Sequence, residues 1–276
     1  MQSLPREHLR NTRLPHIWCP GCGNGLVTAS LLRSIDNLGL AAKDVAIVSG
    51  IGCSSRAAGY LNFQTLHTTH GRALAFATGL KMSRPELTVF VIMGDGDSTA
   101  IGGNHLIHAC RRNIDLNAII FNNNIYGMTG GQASPCTPQG KKATTAPYGN
   151  PERSFNIMKL TEAAGATYTA RSTVYHLPLL DRIIVESVKN KGFSVVEAMT
   201  CCPISYGRRN KMGDAKAMLN WYKENAIPIE KAGTLSLEDN GDKFTIGVHY
   251  RGHAPEFIEE YERITGQKPA AGGPGK

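Results

Sequence analysis

Two cysteines three positions apart, Cys19 and Cys22, lie in the stretch WCPGCGNG near the start of the chain. Pairs with this spacing bind zinc, ligate iron–sulfur clusters or form redox-active disulfides. Cys53 and the adjacent pair Cys201 and Cys202 are further candidates for a shared thiolate site. Only the fold could bring cysteines so far apart in sequence together, so the residues alone leave all three chemistries open.

A second candidate site combines glycine, aspartate and asparagine at the ends of two apolar segments. The sequence GDGD at 94–97 follows LTVFVIM, and NNN at 122–124 ends the segment LNAIIFNNN. Ligands of open α/β sheets bind at the carboxyl edge, where glycines and helix N-termini let backbone N–H groups approach a phosphate. Asp95 would repel a bare phosphate, so it indicates an intervening Mg²⁺ with oxygen ligands from Asp95 and Asn123. The alternative is a pair of ordinary polar turns.

Alternating strand-like and helix-like segments between about residues 20 and 200 must position these groups. Short apolar runs ending in glycine or asparagine predict buried parallel strands, and the stretches between them predict helices. The predicted strands are DVAIVSG, LTVFVIMGDGD, LNAIIFNNN, TYTAR and FSVVEAM. The segment STAIGGNHLIHACRRN predicts a helix with Ser98 or Thr99 as its cap. The pattern predicts a doubly wound, mostly parallel α/β sheet.

The last quarter of the chain has a different character. It carries a helical segment at 215–226, an Asn-Gly turn before an alternating strand at 239–250, which predicts a hairpin, and a short helix at 255–264. We therefore divide the chain into a domain at 1–202, which carries both candidate sites, and a C-terminal extension at 203–276 that packs on it.

Composition argues against several classes of protein. Of the 276 residues, 41% are hydrophobic and 19% are charged, as in ordinary globular proteins. The apolar runs fall far short of the ~20 residues of a membrane span, and the N-terminus lacks the apolar core of a signal peptide. We therefore expect a cytoplasmic protein without a membrane segment. The net charge of +8 suits an anionic substrate or an acidic protein partner, and no nucleic-acid-binding motif accompanies it, so nucleic acid is not expected.

Six segments occur in an order that resembles one known family. They are WCPGCGNG, GIGCSSR, THGRALAFATGLK, GDGD, NNNIYGMTGGQ and CPISYGRRN. Together they resemble the beta subunit of 2-oxoacid:ferredoxin oxidoreductases, most closely the 2-oxoglutarate type, from about residue 14 to 265. The resemblance implies a thiamine diphosphate-binding (PP-type) fold with Mg²⁺, one [4Fe–4S] cluster and an alpha subunit as partner.

The resemblance also implies roles for individual residues. Mg²⁺ would be held by Asp95, Asn123 and the backbone carbonyl of Ile125. Arg56 would bind the second carboxylate of 2-oxoglutarate, and His70 would line the cofactor pocket; the alternatives are an ordinary surface arginine and a structural histidine. The residues implied in cofactor or substrate contact are Gly94, Asp95, Gly96, Asp97, Asn123, Ile125, Gly127, Met128 and Thr129.

For the cysteines, the resemblance implies a cluster held by Cys19, Cys22, Cys53 and a fourth ligand in the motif CP-x-x-YGR, which selects Cys202. The adjacent Cys201 stays an alternative, but neighbouring residues of an extended chain point in opposite directions, so we do not expect both to bind one cluster. Structural zinc is the main rival, although zinc ribbons usually use two CxxC pairs and this chain has one. A disulfide is less favoured because the pair does not follow a strand.

The implied reaction is oxidative decarboxylation of 2-oxoglutarate with coenzyme A to succinyl-CoA and CO₂, or its reverse, with electrons passing through the cluster to ferredoxin. The glutamate that thiamine enzymes place against the pyrimidine ring is not recognisable here, and in the family it comes from the alpha subunit. We therefore expect activity only in a heterodimer, within an (αβ)₂ assembly. Ferredoxins are usually acidic, which would give the basic stretch GRRNKMGDAK a role.

Three alternatives stay open at this point. The first is the same chemistry on pyruvate or another 2-oxoacid. The second is a non-oxidative thiamine-dependent decarboxylase with structural zinc, and the third is a non-catalytic scaffold, which the intact ligand sets disfavour.

Overall fold

The computed structural model describes residues 4–234 and 243–266. Within this part of the chain, eight strands form a sheet in the order β2-β1-β3-β4-β6-β5-β8-β7. Neighbouring strands are parallel except for β5 and β8, which confirms the predicted mostly parallel α/β sheet. The strands are β1 (Val45–Ser49), β2 (Gln64–His67), β3 (Thr88–Gly94), β4 (Asn117–Asn122), β5 (Tyr168–Thr173), β6 (Ser194–Met199), β7 (Ala226–Pro228) and β8 (Phe244–Arg251).

Helices cover both faces of the sheet. Residues of β3 alternate between two buried apolar clusters: Phe90 and Ile92 pack on the α1 and α6 side, and Val89 and Val91 pack on the α3 and α4 side. No helix among the described residues has both the length and the apolar character of a membrane span. The helices are α1 (Asn24–Asn37), α2 (Ala57–Tyr60), α3 (Ala73–Ser83), α4 (Gly103–Arg112), α5 (Ile157–Ala163), α6 (Leu177–Lys189), α7 (Ala215–Asn225) and α8 (Phe257–Thr265).

The strand order creates a crevice near one side of the sheet. β1 and β3 are neighbours, but the chain continues from β1 to β2 on one side and from β3 to β4 on the other. The connections therefore diverge at the carboxyl ends of β1 and β3, which is where open α/β sheets bind ligands. Cys53 follows β1, Asp95 follows β3 and Asn123 follows β4, so the fold brings both candidate sites to the same edge.

The helix predicted to start at Ser98 or Thr99 begins later. α4 starts at Gly103, after a π-helical turn that spans Asp97–Ile101. The hydroxyls of Ser98 and Thr99 donate to the backbone carbonyl of Asp95 at 3.1 and 2.7 Å. The predicted capping was wrong because both hydroxyls bond back to the preceding turn, and they thereby brace the backbone at Asp95.

The C-terminal region is joined closely to the rest of the chain. β8 lies antiparallel to β5, and β7 lies parallel to β8. The Tyr222 hydroxyl on α7 donates to the Thr200 carbonyl at 2.8 Å, and Glu256 at the start of α8 accepts the backbone N–H of Asp115 at 3.0 Å. The predicted Asn-Gly turn lies outside the described residues, and the described β7–β8 pair is parallel, so that pair is not a hairpin.

Candidate active site

A cleft opens at the carboxyl edge of the sheet, between the loops that follow β1, β3 and β4. Cys53 and His70 line it together with the predicted magnesium ligands, although these residues come from four separate stretches of sequence. Their roles stay predictions, but the fold brings them to one place. The predicted cofactor contacts on its walls are Gly94, Asp95, Gly96, Asp97, Asn123, Ile125, Gly127, Met128 and Thr129.

Asp95 places a buried carboxylate in this cleft. The residue is 3% exposed, and its Oδ2 accepts a hydrogen bond from the Ser134 hydroxyl. The Ser134 oxygen in turn accepts the backbone N–H of Cys136 at 3.2 Å. Burial raises the pKa of Asp95 to about 7, against the lowering effect of the Ser134 hydroxyl and nearby backbone N–H groups. A divalent cation beside this carboxyl would favour its ionised form.

The loop after β4 makes a tight turn beside Asp95. Asn124 adopts a left-handed conformation with φ 59°, which asparagine tolerates better than most residues. The side-chain oxygen of Asn122 accepts the N–H of Asn124 at 3.0 Å, and that of Asn123 accepts the N–H of Ile125 at 3.2 Å. These bonds fix the turn, and it brings Asn123 and Ile125 to the cleft that Asp95 lines.

Asp97 lines the cleft, and one of its two carboxylate oxygens contacts protein groups, while Oδ2 is buried without a hydrogen-bond partner among the described residues. Its Oδ1 accepts the backbone N–H of Gly71 at 2.7 Å and that of Ile51 at 3.4 Å. The same oxygen lies 2.6 Å from Nδ1 of His70. Burial raises the pKa of Asp97, while the Gly71 N–H and the charge of His70 lower it. Asp97 therefore joins three segments of the chain and holds one edge of the His70 ring.

Two of the predicted cluster cysteines, Cys53 and Cys202, lie beside Gly127. The Sγ atoms of Cys53 and Cys202 lie 3.5 and 3.6 Å from the position that a Cβ on Gly127 would take. Burial is the main cause that raises the pKa of Cys22 to about 12, and among the nearby thiols Cys202 contributes most. Burial, and then Cys202 and Cys19, raises the pKa of Cys53 to about 11. All four are free thiols, and because the pKa values of Cys22 and Cys53 are raised, a bound metal group would be needed to hold these two as thiolates.

Cys201 makes a different contact. It is 1% exposed, and its Sγ lies 3.3 Å from the backbone carbonyl of Gly21, to which it donates. Burial raises the pKa of Cys201 to about 11. Because this thiol is engaged by the loop between Cys19 and Cys22, the geometry favours Cys202 as the partner of Cys53.

Comparison with known proteins identifies the family. The profile of the thiamine pyrophosphate enzyme C-terminal TPP binding domain matches residues 50–198. The 2-oxoglutarate synthase subunit KorB of Methanocaldococcus jannaschii is 51% identical over 94% of this chain and 96% of its own length. That of Archaeoglobus fulgidus is also 51% identical, over 96% and 95%. The 2-oxoacid:ferredoxin oxidoreductase subunit beta of a Sulfolobus species is 36% identical over 92% and 87%. The chain belongs to the 2-oxoacid:ferredoxin oxidoreductase beta-subunit family.

A solved structure agrees with this family assignment. The 2-oxoglutarate:ferredoxin oxidoreductase from Magnetococcus marinus, with 2-oxoglutarate, coenzyme A and succinyl-CoA bound, is 32% identical and superposes with a TM-score of 0.85. The match covers 96% of this chain and 90% of that one. The family resemblance expected from the sequence is therefore confirmed, together with the thiamine diphosphate-binding fold.

The cleft of this family member suits thiamine diphosphate with a divalent cation. A Cβ on Gly96 would lie 2.2 Å from the Tyr126 ring, so glycine is required for the loops after β3 and β4 to meet. The backbone of Gly96 carries no side chain and can therefore approach a phosphate. The buried carboxylate of Asp95 belongs to the preceding residue. Glycine backbone for the diphosphate and side-chain oxygen for Mg²⁺ are the donor set that the cofactor needs.

Arg56 does not line the cleft with the other predicted residues. It ends a short 3₁₀ turn, Ser54–Arg56, and its charge, after the larger effect of burial, lowers the pKa of His67 on β2. Its Nε is buried and has no hydrogen-bond partner among the described residues. A buried donor without a partner is suited to an anion, so a role in carboxylate binding stays a prediction.

Sequence reasoning missed the residues that brace the predicted ligands. Ser134 and Thr137 lie in the loop between β4 and α5. The Thr137 hydroxyl accepts the N–H of Ser134 at 2.9 Å and donates to the Asn124 carbonyl at 2.6 Å. Ser134 thereby links the loop after β4 to Asp95 after β3. The spacing Ser-Pro-Cys-Thr is typical of a local turn, but nothing in it indicates contact with Asp95.

Proposed function

We propose that the chain is the beta subunit of a 2-oxoglutarate:ferredoxin oxidoreductase. The enzyme converts 2-oxoglutarate and coenzyme A to succinyl-CoA and CO₂, or runs in reverse, and exchanges the electrons with ferredoxin. The names of two relatives at 51% identity and the molecules bound in the Magnetococcus structure support this substrate class. The observation that carries the proposal is that Cys53 and Asp95 line one cleft, so that a thiolate-held redox group and a diphosphate cofactor would adjoin.

The proposed magnesium ligands are Asp95, Asn123 and the backbone carbonyl of Ile125. Backbone at Gly96 and at 127–129 would bind the diphosphate. Thiamine diphosphate supplies, when bound, the electron sink for loss of CO₂ from a 2-oxoacid. Around it, the chain's own residues hold the site in place: Ser134 fixes one oxygen of Asp95, and the apolar side chains of Ile51 and Met128 line the cleft.

We assign the four thiols Cys19, Cys22, Cys53 and Cys202 to a [4Fe–4S] cluster, which takes four thiolates. Zinc also takes four, but with Zn–S bonds near 2.3 Å it draws them to about 3.8 Å from one another. Among the described residues, the ligand atoms of Glu7, His8 and Asp36 all lie within 4.8 Å of one another. The described cysteines form no group of three that is as close as this. The geometric support for a shared metal group is that the Sγ atoms of Cys53 and Cys202 both lie beside Gly127, and a metal assay separates iron from zinc.

The cleft lacks one group that a thiamine enzyme needs. Its described lining carries the carboxylates of Asp95 and Asp97 and no glutamate. The glutamate that faces the pyrimidine ring would come from an alpha subunit, with the cofactor at the interface. We therefore propose an alpha–beta pair as the active unit, in an (αβ)₂ assembly. That it works in the cytoplasm stays a prediction from the sequence.

The test is anaerobic purification of the co-expressed alpha–beta pair, followed by iron, sulfide, zinc and thiamine assays and a panel of 2-oxoacids. About four iron and four sulfide per beta chain, with coenzyme A-dependent reduction of ferredoxin that is fastest with 2-oxoglutarate, are expected. One zinc without iron, or CO₂ release without electron transfer, would refute the proposal. A preference for pyruvate would refute the substrate assignment alone.

Replacing Arg56 with alanine is expected to lower kcat/KM for 2-oxoglutarate by about 10- to 100-fold, because a hydrogen bond between charged groups contributes roughly 1.5–3 kcal/mol. Pyruvate has no second carboxylate and should lose much less. Lysine at this position should recover only part of the loss, since it cannot form the bidentate contact. Arg84→Ala on the exposed surface is the matched control. Equal losses with both 2-oxoacids would remove Arg56 from substrate selection.

We propose that ferredoxin docks on a basic patch formed by Lys142, Arg208, Arg209 and Lys211, which are exposed. Asn210 joins the two loops that carry them, because its side chain accepts the N–H of Lys142 and donates to its carbonyl, at 2.8 and 3.1 Å.

The patch lies close to the cysteines. Ser205, three residues before Arg208, donates to the carbonyl of Gly127 at 3.4 Å, and Gly127 adjoins Cys53 and Cys202. An acidic partner on the patch would thus sit near the point where electrons leave the chain, and complementary charge would speed its docking.

Reversing Arg208, Arg209 and Lys211 to glutamate is expected to lower kcat/KM for an acidic ferredoxin about tenfold or more at low salt, because electrostatic steering raises association rates by 10–10³. The control reverses Lys43, Arg111 and Lys189, which lie at the opposite edge of the sheet, before β1, β4 and β6. Reduction of an uncharged dye should not respond to either change. If the patch variant matched the control at every salt concentration, ferredoxin would dock elsewhere.

A further inference from the structure

The ionisable side chains that line the cleft leave one candidate for moving a proton. They are Cys53, His70, Asp95, Asp97 and Tyr126 among the described residues. Cys53 is assigned to the cluster and Asp95 to Mg²⁺. Burial raises the pKa of Tyr126 to about 12, so its phenol keeps its proton near neutral pH. Oδ1 of Asp97 is engaged by protein groups, and Oδ2 is buried against Gly50 without a hydrogen-bond partner among the described residues, which leaves His70.

Asp97 decides which nitrogen of His70 faces the cleft. Nδ1 of His70 is buried, has no partner that meets hydrogen-bond geometry among the described residues, and lies 2.6 Å from Oδ1 of Asp97 as an ion-pair contact. The carboxylate can only accept, so Nδ1 carries the proton between them. In the neutral imidazole, Nε2 is then the free acceptor. The side chain of His70 is 35% exposed and lines the cleft, so its ring is accessible from the cleft although Nδ1 is buried.

The backbone around Asp97 is shaped to admit its carboxylate. A Cβ on Gly50 would lie 2.0 Å from Oδ2 of Asp97, and a Cβ on Gly71 would lie 2.4 Å from the side chain of Ile101. Gly71 also has φ 71°, a conformation that other residues adopt at a cost. Any side chain at these two positions would displace the segments that meet at Asp97. The contact between Asp97 and His70 is therefore enforced by packing on both sides.

We propose that Nε2 of His70 accepts the proton that the coenzyme A thiol loses when the thioester forms, with Asp97 as the positioning residue that keeps Nε2 free. The inference rests on the proposed function, because that reaction converts a thiol to a thioester. The S–H bond breaks and its proton passes to Nε2, while the sulfur electron pair forms the C–S bond to the acyl carbon. The C–C bond between the acyl carbon and the carboxylate breaks as CO₂ leaves, the two electrons of that bond pass singly to oxidised ferredoxin, and the proton on Nε2 then passes to solvent.

The decisive variant is His70→Asn in the alpha–beta holoenzyme. The asparagine amide can donate to Asp97 in place of Nδ1, so the junction of the three segments is kept while Nε2 is lost. In rapid-quench experiments, formation of succinyl-CoA should slow by roughly 10²–10⁴-fold, the range of a lost general base. CO₂ release in a single turnover without coenzyme A should slow by a far smaller factor. His253→Asn, an exposed histidine, is the control.

Asp97→Asn tests the positioning role. Its amide oxygen can still accept from Gly71 and from Nδ1, but it lacks the negative charge that stabilises the imidazolium formed when Nε2 takes the thiol proton. The rate of succinyl-CoA formation at saturating coenzyme A should fall, whereas the KM for coenzyme A should change by less than about threefold, because the change affects the proton acceptor and not ground-state binding. A rise in KM without a fall in kcat would overturn this role.

Thiamine diphosphate binding supplies a readout apart from turnover. Binding is measured by tryptophan fluorescence in alpha–beta pairs from which the cofactor has been removed. Trp18 reports on the cleft because its indole N–H donates to the carbonyl of Cys53 at 2.7 Å, and Cys53 lines the cleft. If His70→Asn abolished cofactor binding, or slowed CO₂ release as much as thioester formation, His70 would hold the cofactor and the inference would be wrong. If the wild-type pair formed no succinyl-CoA, the proposed function itself would fail, and the two failures are therefore distinct.

Discussion

Serine in place of Cys202 is expected to strip most of the iron from the beta chain, whereas serine in place of Cys201 leaves the iron content near that of the unmodified protein. The two cysteines are adjacent, but the Cys202 sulfur approaches Cys53 beside Gly127, and the Cys201 thiol bonds the Gly21 carbonyl. Serine at 201 can still donate to that carbonyl, while serine at 202 supplies a poor ligand for iron. The measurement is iron and sulfide per chain in anaerobic preparations, with the reduced cluster followed by electron paramagnetic resonance.

Ferredoxin reduction should follow the iron in both variants. The activity of the alpha–beta pair that carries Cys202→Ser should fall by more than about 100-fold. Even the loss of a group that only contacts a metal ligand lowers activity or metal affinity by roughly 10- to 100-fold. Secondary structure and thermal unfolding of both variants are compared first, so that a folding defect is recognised. The reverse result, with iron lost from Cys201→Ser and kept in Cys202→Ser, would exchange their roles.

Asparagine in place of Asp95 is expected to abolish magnesium-dependent binding of thiamine diphosphate. The change keeps the size and the contact with Ser134 but removes the negative charge that Mg²⁺ needs at this position. We expect the apparent Kd for the cofactor to rise by more than about 100-fold. Loss of a direct metal ligand should have a larger effect than the roughly 10- to 100-fold that follows loss of a group that only contacts a ligand. Titration with thiamine diphosphate at several Mg²⁺ concentrations, read by tryptophan fluorescence, measures it.

Ser134→Ala provides a graded companion to this experiment. The alanine variant keeps the carboxylate but removes the hydroxyl that donates to it, so the Kd should rise by about 10-fold and be partly restored by excess Mg²⁺. Asp115→Asn, which breaks an ion pair with Lys81 outside the cleft, is the control. If the Kd of thiamine diphosphate for the unmodified protein did not depend on the Mg²⁺ concentration, the metal assignment would be contradicted.

The sequence predicts the location of the site better than its internal contacts. Apolar runs ending in GDGD and NNN predict two strands, and the rule that ligands bind at carboxyl edges then predicts that Asp95 and Asn123 converge. This works because the positions depend on the topology of the sheet, which hydrophobic periodicity reports well. The roles of these residues as ligands stay predictions.

Contacts between loops could not be predicted in the same way. Ser134 reaches Asp95 across 39 positions of sequence, and Asp97 meets His70 through a turn that has no periodic pattern. Ser98 and Thr99 have the chemistry of helix caps, yet a π-helical turn directs their hydroxyls to the Asp95 carbonyl. Side-chain chemistry alone does not choose between such partners; the path of the backbone does.

The antiparallel pairing of β8 with β5 has a consequence for biosynthesis. β5 ends at Thr173 and β8 begins at Phe244, so a nascent chain displays one unpaired flank of β5 until about seventy more residues have been translated. Unpaired strand flanks attract other chains. β8 therefore covers this flank of β5 only late in synthesis. A fragment that ended at residue 202 would be prone to aggregation, even though it contains every proposed ligand for metal and cofactor.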